Sequence, residues 1–98
     1  MARFDVYPGA RGKGYLLDCQ ADILDELTTR VVVPLLPVAG LPKATRLNPV
    51  IAIFGQNCVM STQLIFAIPA ERLSPPVGNL KDEHPIIMYA LDMLLTGF

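Results

Sequence analysis

Charge is what this 98-residue chain has least of. Lys, Arg, Asp and Glu together make up 17% of it, against about 25% in an average globular protein. Intrinsic disorder is excluded, because it requires low hydrophobicity and high net charge, whereas 52% of these residues are hydrophobic and the net charge is −1. Long apolar runs are missing as well. Every candidate is broken by Pro34, Pro37, Pro49 or Pro69, short of the roughly 18–20 residues that a bilayer span demands. Basic clusters are absent: Arg3, Arg11, Lys13, Arg30, Lys43, Arg46, Arg72 and Lys81 stand singly and the pI is about 5.6, so nothing argues for direct nucleic-acid binding. One histidine and two isolated cysteines do not make a zinc site, and no other metal or cofactor is implied. Cys19 and Cys58 form neither a CxxC pair nor a disulfide framework; their apolar surroundings in sequence fit small buried hydrophobes. The start MARFDVY lacks an apolar core and a cleavage signal, so the cytoplasm is the expected location.

What is present is apolar surface in excess. The length fits a single domain, residues 1–98, and a chain of this size buries only roughly 60–65% of its unfolded surface. With mean hydropathy +0.43, the surplus is expected to lie at an interface between copies of the chain.

The first two thirds carry strand patterns. Phe4, Val6 and Tyr7 lead into a Gly-rich loop, residues 8–14, and Tyr15 to Gln20 resumes a strand, which predicts a hairpin. Residues 21–29 are polar enough for a surface loop or short helical turn, with Ile23 and Leu24 as its apolar members. Arg30 to Leu36 is a β-branched run whose prolines cannot donate to a ladder, which predicts a strand end or edge. Pro49 to Phe54 is the most apolar short run and is expected to be a central strand. Gly55, Gln56 and Asn57 are expected to turn the chain into a strand over 58–64, which residues 65–69 extend or restart; residues 75–79 should end the β region. The end differs. Asp82, Glu83 and His84 precede Pro85, a helix-start signal, no breaker follows before Thr96, and Gly97 stands where a cap belongs. Ile86, Ile87, Ala90, Leu91, Met93 and Leu94 cover one broad face, with only Asp92 and Thr96 in a narrow polar gap.

Groups with catalytic potential are few. His84 reads as a solvated turn residue, and Asp22, Asp25 and Glu26 as solvated loop acids. Ser61 and Thr62 have no base nearby in sequence, and Gly9, Gly12 and Gly14 do not spell a dinucleotide-binding fingerprint. The residues point to a protein that acts through a surface and is not an enzyme.

The segments FDVY, YLLDCQADILDE, RVVVPL and LDMLLTGF resemble, in order and spacing, the CcdB family, the toxins of type II toxin–antitoxin modules. The resemblance implies a mainly β fold, a small SH3-like antiparallel β-barrel with a C-terminal α-helix, in a two-fold homodimer whose axis lies near the helix, with Met93, Leu94 and Phe98 at the dimer interface. It implies binding to the A subunit of DNA gyrase and trapping of gyrase on cleaved DNA. A CcdA-like antitoxin would neutralise the toxin through a disordered segment, and operon repression would use the antitoxin's DNA contacts. Carried over by position, the gyrase-facing residues are Phe4, Ile23, Asp92, Thr96, Gly97 and Phe98. Two depart from the family pattern: Thr96 stands where a tryptophan is usual, and Asp92 where an asparagine is. Two other readings are an endoribonuclease toxin of the related MazF/Kid barrel, with Arg30, Lys43 and Arg46 as its cations, and a non-toxic homologue keeping only dimer and antitoxin binding.

Overall fold

The computed structural model describes residues 1–40 and 42–97. Among these residues seven strands and one α-helix follow in order: β1 (Asp5–Pro8), β2 (Tyr15–Asp18), β3 (Thr29–Pro37), β4 (Val50–Ile53), β5 (Gln56–Met60), β6 (Phe66–Pro69), β7 (Gly78–Asn79) and α1 (His84–Thr96). The sheet runs β4-β5-β3-β2-β1-β7, with β6 also on β3, and these pairings are all antiparallel. It curls into a half-barrel. Phe54, at the β4 end of the order, reaches Gly78 at the other end, where an added Cβ would lie 3.8 Å from its ring.

The expected first hairpin is present, with Val6 opposite Leu17 and Tyr7 opposite Leu16. Two strand expectations require correction. The Arg30–Leu36 run is not an edge: it lies within β3, which pairs with β2 on one side and with β6 and then β5 on the other. Pro34 is tolerated because of where its missing N–H falls. A strand residue's N–H and C=O face the same edge, and the Pro34 carbonyl accepts from Ser61 N–H at 2.9 Å, at the gap between the β5 and β6 pairings. The apolar run 49–54, conversely, forms edge strand β4 and not a central one. Its apolar character comes from Ile51 and Ile53, which point into the core, while Ala52 between them is exposed.

The turn after β4 is also shifted from its expected place. Phe54 and Gly55 form it, both with positive φ (50° and 79°), as a two-residue type I′ hairpin turn requires; Gln56 and Asn57 already belong to β5. That strand ends at Met60, short of the expected 64, and residues 62–64 form a 3-10 turn before β6 restarts the ladder.

The core lies on the concave face of the sheet, where Val6, Leu17, Val33, Leu35, Ile51, Ile53, Cys58 and Met60 meet Ile87, Ala90 and Leu91 of α1. Full burial of an Ile or Leu side chain stabilises the fold by about 1.5–3 kcal/mol. The helix start follows the sequence, with Pro in its first turn, and Gly97 (φ 80°) caps its end by donating to Met93 O at 3.1 Å. The buried face is narrower than expected. Met93 is exposed, along with Tyr89 and Leu95.

Candidate binding surface

The convex face of the sheet carries a buried polar cluster. Tyr7 of β1, Asp18 of β2 and Arg30 of β3 lie diagonally across it, all fully buried. Arg30 presents the side of its guanidinium to Asp18, Nε to Oδ2 at 2.8 Å and Nη2 to Oδ1 at 3.0 Å. Asp18 also accepts from Tyr7 OH at 3.1 Å and from Gln20 N–H at 3.0 Å. Such two-pronged, charge-assisted bonding is what compensates a buried ion pair for lost hydration. Burial alone works against the Arg30 charge, but the hydrogen bonds and charge of Asp18 outweigh it, so Arg30 is protonated more firmly than usual. Burial, reinforced by Asp18, pushes the Tyr7 hydroxyl well above the usual phenol value.

This cluster controls the loop that follows β2. Every residue from Asp22 to Thr29 is exposed, so no apolar side chain anchors the loop from within. Polar bonds hold it instead. Arg30 Nη1 reaches out to Asp25 Oδ1 at 3.2 Å, Gln20 Nε2 donates to Leu24 O at 2.8 Å, and Val31 N–H donates to Gln20 Oε1 at 3.1 Å. A 3-10 turn at Asp22–Leu24 results, which displays Ile23 at 91% exposure, with Leu24 and Leu27 also exposed.

Arg3 joins this turn to the helix. Its N–H donates to Asp22 Oδ1 at 2.9 Å, and its Nη2 meets Met88 Sδ at 2.8 Å. Met88, Asp92 and Leu95, spaced by four and three residues, lie along one stripe of α1. Arg3 thus ties the Ile23 turn to Met88, on the stripe of α1 that continues to Asp92 and Leu95. Thr96 and Gly97 are exposed at the same end, and the Thr96 hydroxyl turns back to Asp92 O at 2.7 Å. On the neighbouring stripe Tyr89 lies under the Arg46 guanidinium, 5.7 Å from its ring centroid.

Of the residues carried over for the gyrase face, Ile23, Asp92, Thr96 and Gly97 are thus accessible. Phe4 lies beneath them. It is 3% exposed, packed between the Arg3 guanidinium (4.7 Å) and the edge of His84 (5.4 Å), and supports the surface from beneath. Its φ of 69° follows from that tie-down, since its N–H donates to Asp18 O and its carbonyl accepts from Leu80. Of the dimer-interface candidates, Met93 is 41% exposed and Leu94 is half-buried; Phe98 lies outside the described residues.

The groups considered for catalysis are engaged or dispersed. Arg30, a candidate cation for RNA, is locked between Asp18 and Asp25 and cannot reach a phosphate. The Thr62 hydroxyl donates to Leu47 O at 2.6 Å. Both cysteines are free thiols, and burial, helped by Asp18 and opposed by Arg3, pushes Cys19 up to about 12. Burial also raises Cys58. Among the described residues no group of three or more His, Cys, Asp and Glu is placed to hold a metal ion, and no helix is long and apolar enough to cross a membrane.

Sequence reasoning missed Arg3, Met88 and the Arg30–Asp18 pair. For the pair a signal existed: each is the lone charge inside an otherwise apolar strand, and antiparallel pairing of those strands brings the two together.

Among the described residues, a curled antiparallel half-barrel with one C-terminal helix and a hydrogen-bonded, exposed apolar turn defines a small domain that presents a surface. The sequence model of the CcdB protein family matches residues 3–97. The chain belongs to the CcdB family, the toxins of type II toxin–antitoxin systems. No curated protein matches it.

Proposed function

We propose that this protein is the toxin of a type II toxin–antitoxin module that binds the A subunit of DNA gyrase and holds the enzyme on cleaved DNA. The family match over residues 3–97 carries this reading. The contact surface would be Ile23 with Asp92, Thr96, Gly97 and Phe98, and the accessibility of the first four supports it. The protein acts by binding and not by catalysis, as a homodimer in the cytoplasm where gyrase works. Exposed Tyr89, Met93 and Leu95 on one 13-residue helix are apolar surface that a second copy or a partner would cover. A CcdA-like antitoxin neutralises the toxin, and contacts to operator DNA come from that antitoxin.

Asp92 and Thr96 favour a second reading of the same scaffold. A tryptophan anchor contributes a large buried ring to an interface, and Thr96 does not. A homologue that keeps dimer and antitoxin binding while poisoning gyrase weakly fits that substitution.

Expression in a bacterial host with and without the cognate antitoxin separates the two. The toxin reading requires growth arrest with an induced DNA-damage response, relieved by the antitoxin. Normal growth together with antitoxin binding supports the inert homologue.

A further inference from the structure

We propose that Arg30, acting through Asp25, is a positioning residue that holds the apolar turn at residues 21–27 ready for its partner. The inference rests on the gyrase-binding reading for the identity of that partner. The turn displays Ile23, Leu24 and Leu27 to solvent, and residues 22–29 are all exposed. A segment of that composition tends to collapse onto nearby apolar surface, since water exposure disfavours its side chains. What holds the turn away from that surface is a set of polar clamps. Arg30 is immobilised by its two bonds to Asp18 and uses its remaining Nη1 to hold Asp25 from the inside. Gln20, tied to Val31 of β3, holds the carbonyl of Leu24, and Arg3 holds Asp22 at the turn's entrance. The clamps attach to Asp22, Leu24 and Asp25, on both sides of Ile23, so they fix the direction in which Ile23 points. Ordering the turn before binding removes an entropic cost that association would otherwise carry.

Asp25 is the end of this chain that can be altered without opening the core, since its side chain is 56% exposed while Arg30 keeps Asp18. In Asp25→Ala, backbone amide order parameters over residues 22–27 are expected to fall from the rigid range near about 0.85 to below about 0.6. Values in β3 should not change, and Asp25→Asn, which keeps an acceptor for Arg30, should remain close to wild type. The affinity of Asp25→Ala for the purified N-terminal fragment of gyrase A is expected to fall by about three- to tenfold. That loss should largely vanish when Ile23 is already alanine. An unchanged order parameter in Asp25→Ala overturns the positioning role, as does the same affinity loss with and without Ile23. Failure of the wild-type protein to bind gyrase A overturns the functional reading instead, and the relaxation measurement still decides whether Arg30 positions the turn.

Discussion

Replacing Asp18 by alanine tests whether the polar cluster on the convex face holds this fold together. The carboxylate accepts four hydrogen bonds, from Arg30 Nε, Arg30 Nη2, Tyr7 OH and Gln20 N–H. All but the last come from side chains with no exposure to water. After the substitution Arg30 keeps its charge inside the protein with only the peripheral Asp25 as partner, while Tyr7 OH and Gln20 N–H lose their acceptor. Breaking a buried pair from one side costs about 3–5 kcal/mol, whereas an exposed pair of the same residue types is worth about 0–1 kcal/mol. Burial decides between the two figures, and here it selects the larger. Against a total stability of about 5–15 kcal/mol, such a loss should lower the midpoint of urea unfolding by about 2 M at ordinary m-values. Equilibrium unfolding followed by circular dichroism measures it. The double variant Asp18→Leu with Arg30→Met should be less destabilised than Asp18→Ala alone, because no unpaired charge remains. A loss below about 1 kcal/mol for Asp18→Ala, or a double variant weaker than the single, would show that the buried pair does not hold the fold together.

Thr96→Trp should tighten binding to gyrase A by about thirtyfold, the scale of a gained aromatic anchor of about 2 kcal/mol; a titration showing equal or weaker binding contradicts that role for the helix end. Met93→Glu should shift the protein toward monomer at micromolar concentration, read by analytical ultracentrifugation, because it puts a charge into the proposed dimer face. Cys19 and Cys58 should resist alkylation at pH 8 in the native state and react on unfolding, as intact-mass measurement would show. The Cys19 thiol, pushed from 9.0 up to about 12, stays protonated in the fold while the unfolded chain ionises. Its contribution is therefore fully present below pH 9 and is lost between about pH 9 and 12, at up to about 1.4 kcal/mol per pH unit. Tyr7 adds to the same loss above pH 10.

The sequence makes the local elements legible where one signal dominates. Alternation on both sides of a Gly-rich loop announces the first hairpin, and Pro85 with Gly97 brackets the helix. It misleads where tertiary pairing decides. Pro34 reads as an edge signal, yet it is tolerated in β3 because β5 has ended and β6 not yet begun at that edge. Residues 49–54 read as a central strand because two core residues sit in a run of apolar neighbours, a composition that an edge strand also permits. At the candidate surface, Ile23 and the helix end are legible through the family resemblance. Arg30 reads as a free cation, because the lone charges of β2 and β3 become a pair only once the antiparallel register sets them diagonally across the sheet. Phe4 reads as a surface residue, and only the folded chain shows its ring beneath Arg3 and His84.

The proposed activity of this small domain is to poison gyrase by binding it. The most direct measurement incubates the purified protein with DNA gyrase, ATP and negatively supercoiled plasmid, then denatures and digests the enzyme. Gyrase poisoning predicts linear plasmid that accumulates with toxin concentration and is suppressed by the antitoxin. Plasmid that remains circular at saturating protein, beside a known gyrase poison that linearises it, would contradict the proposed activity.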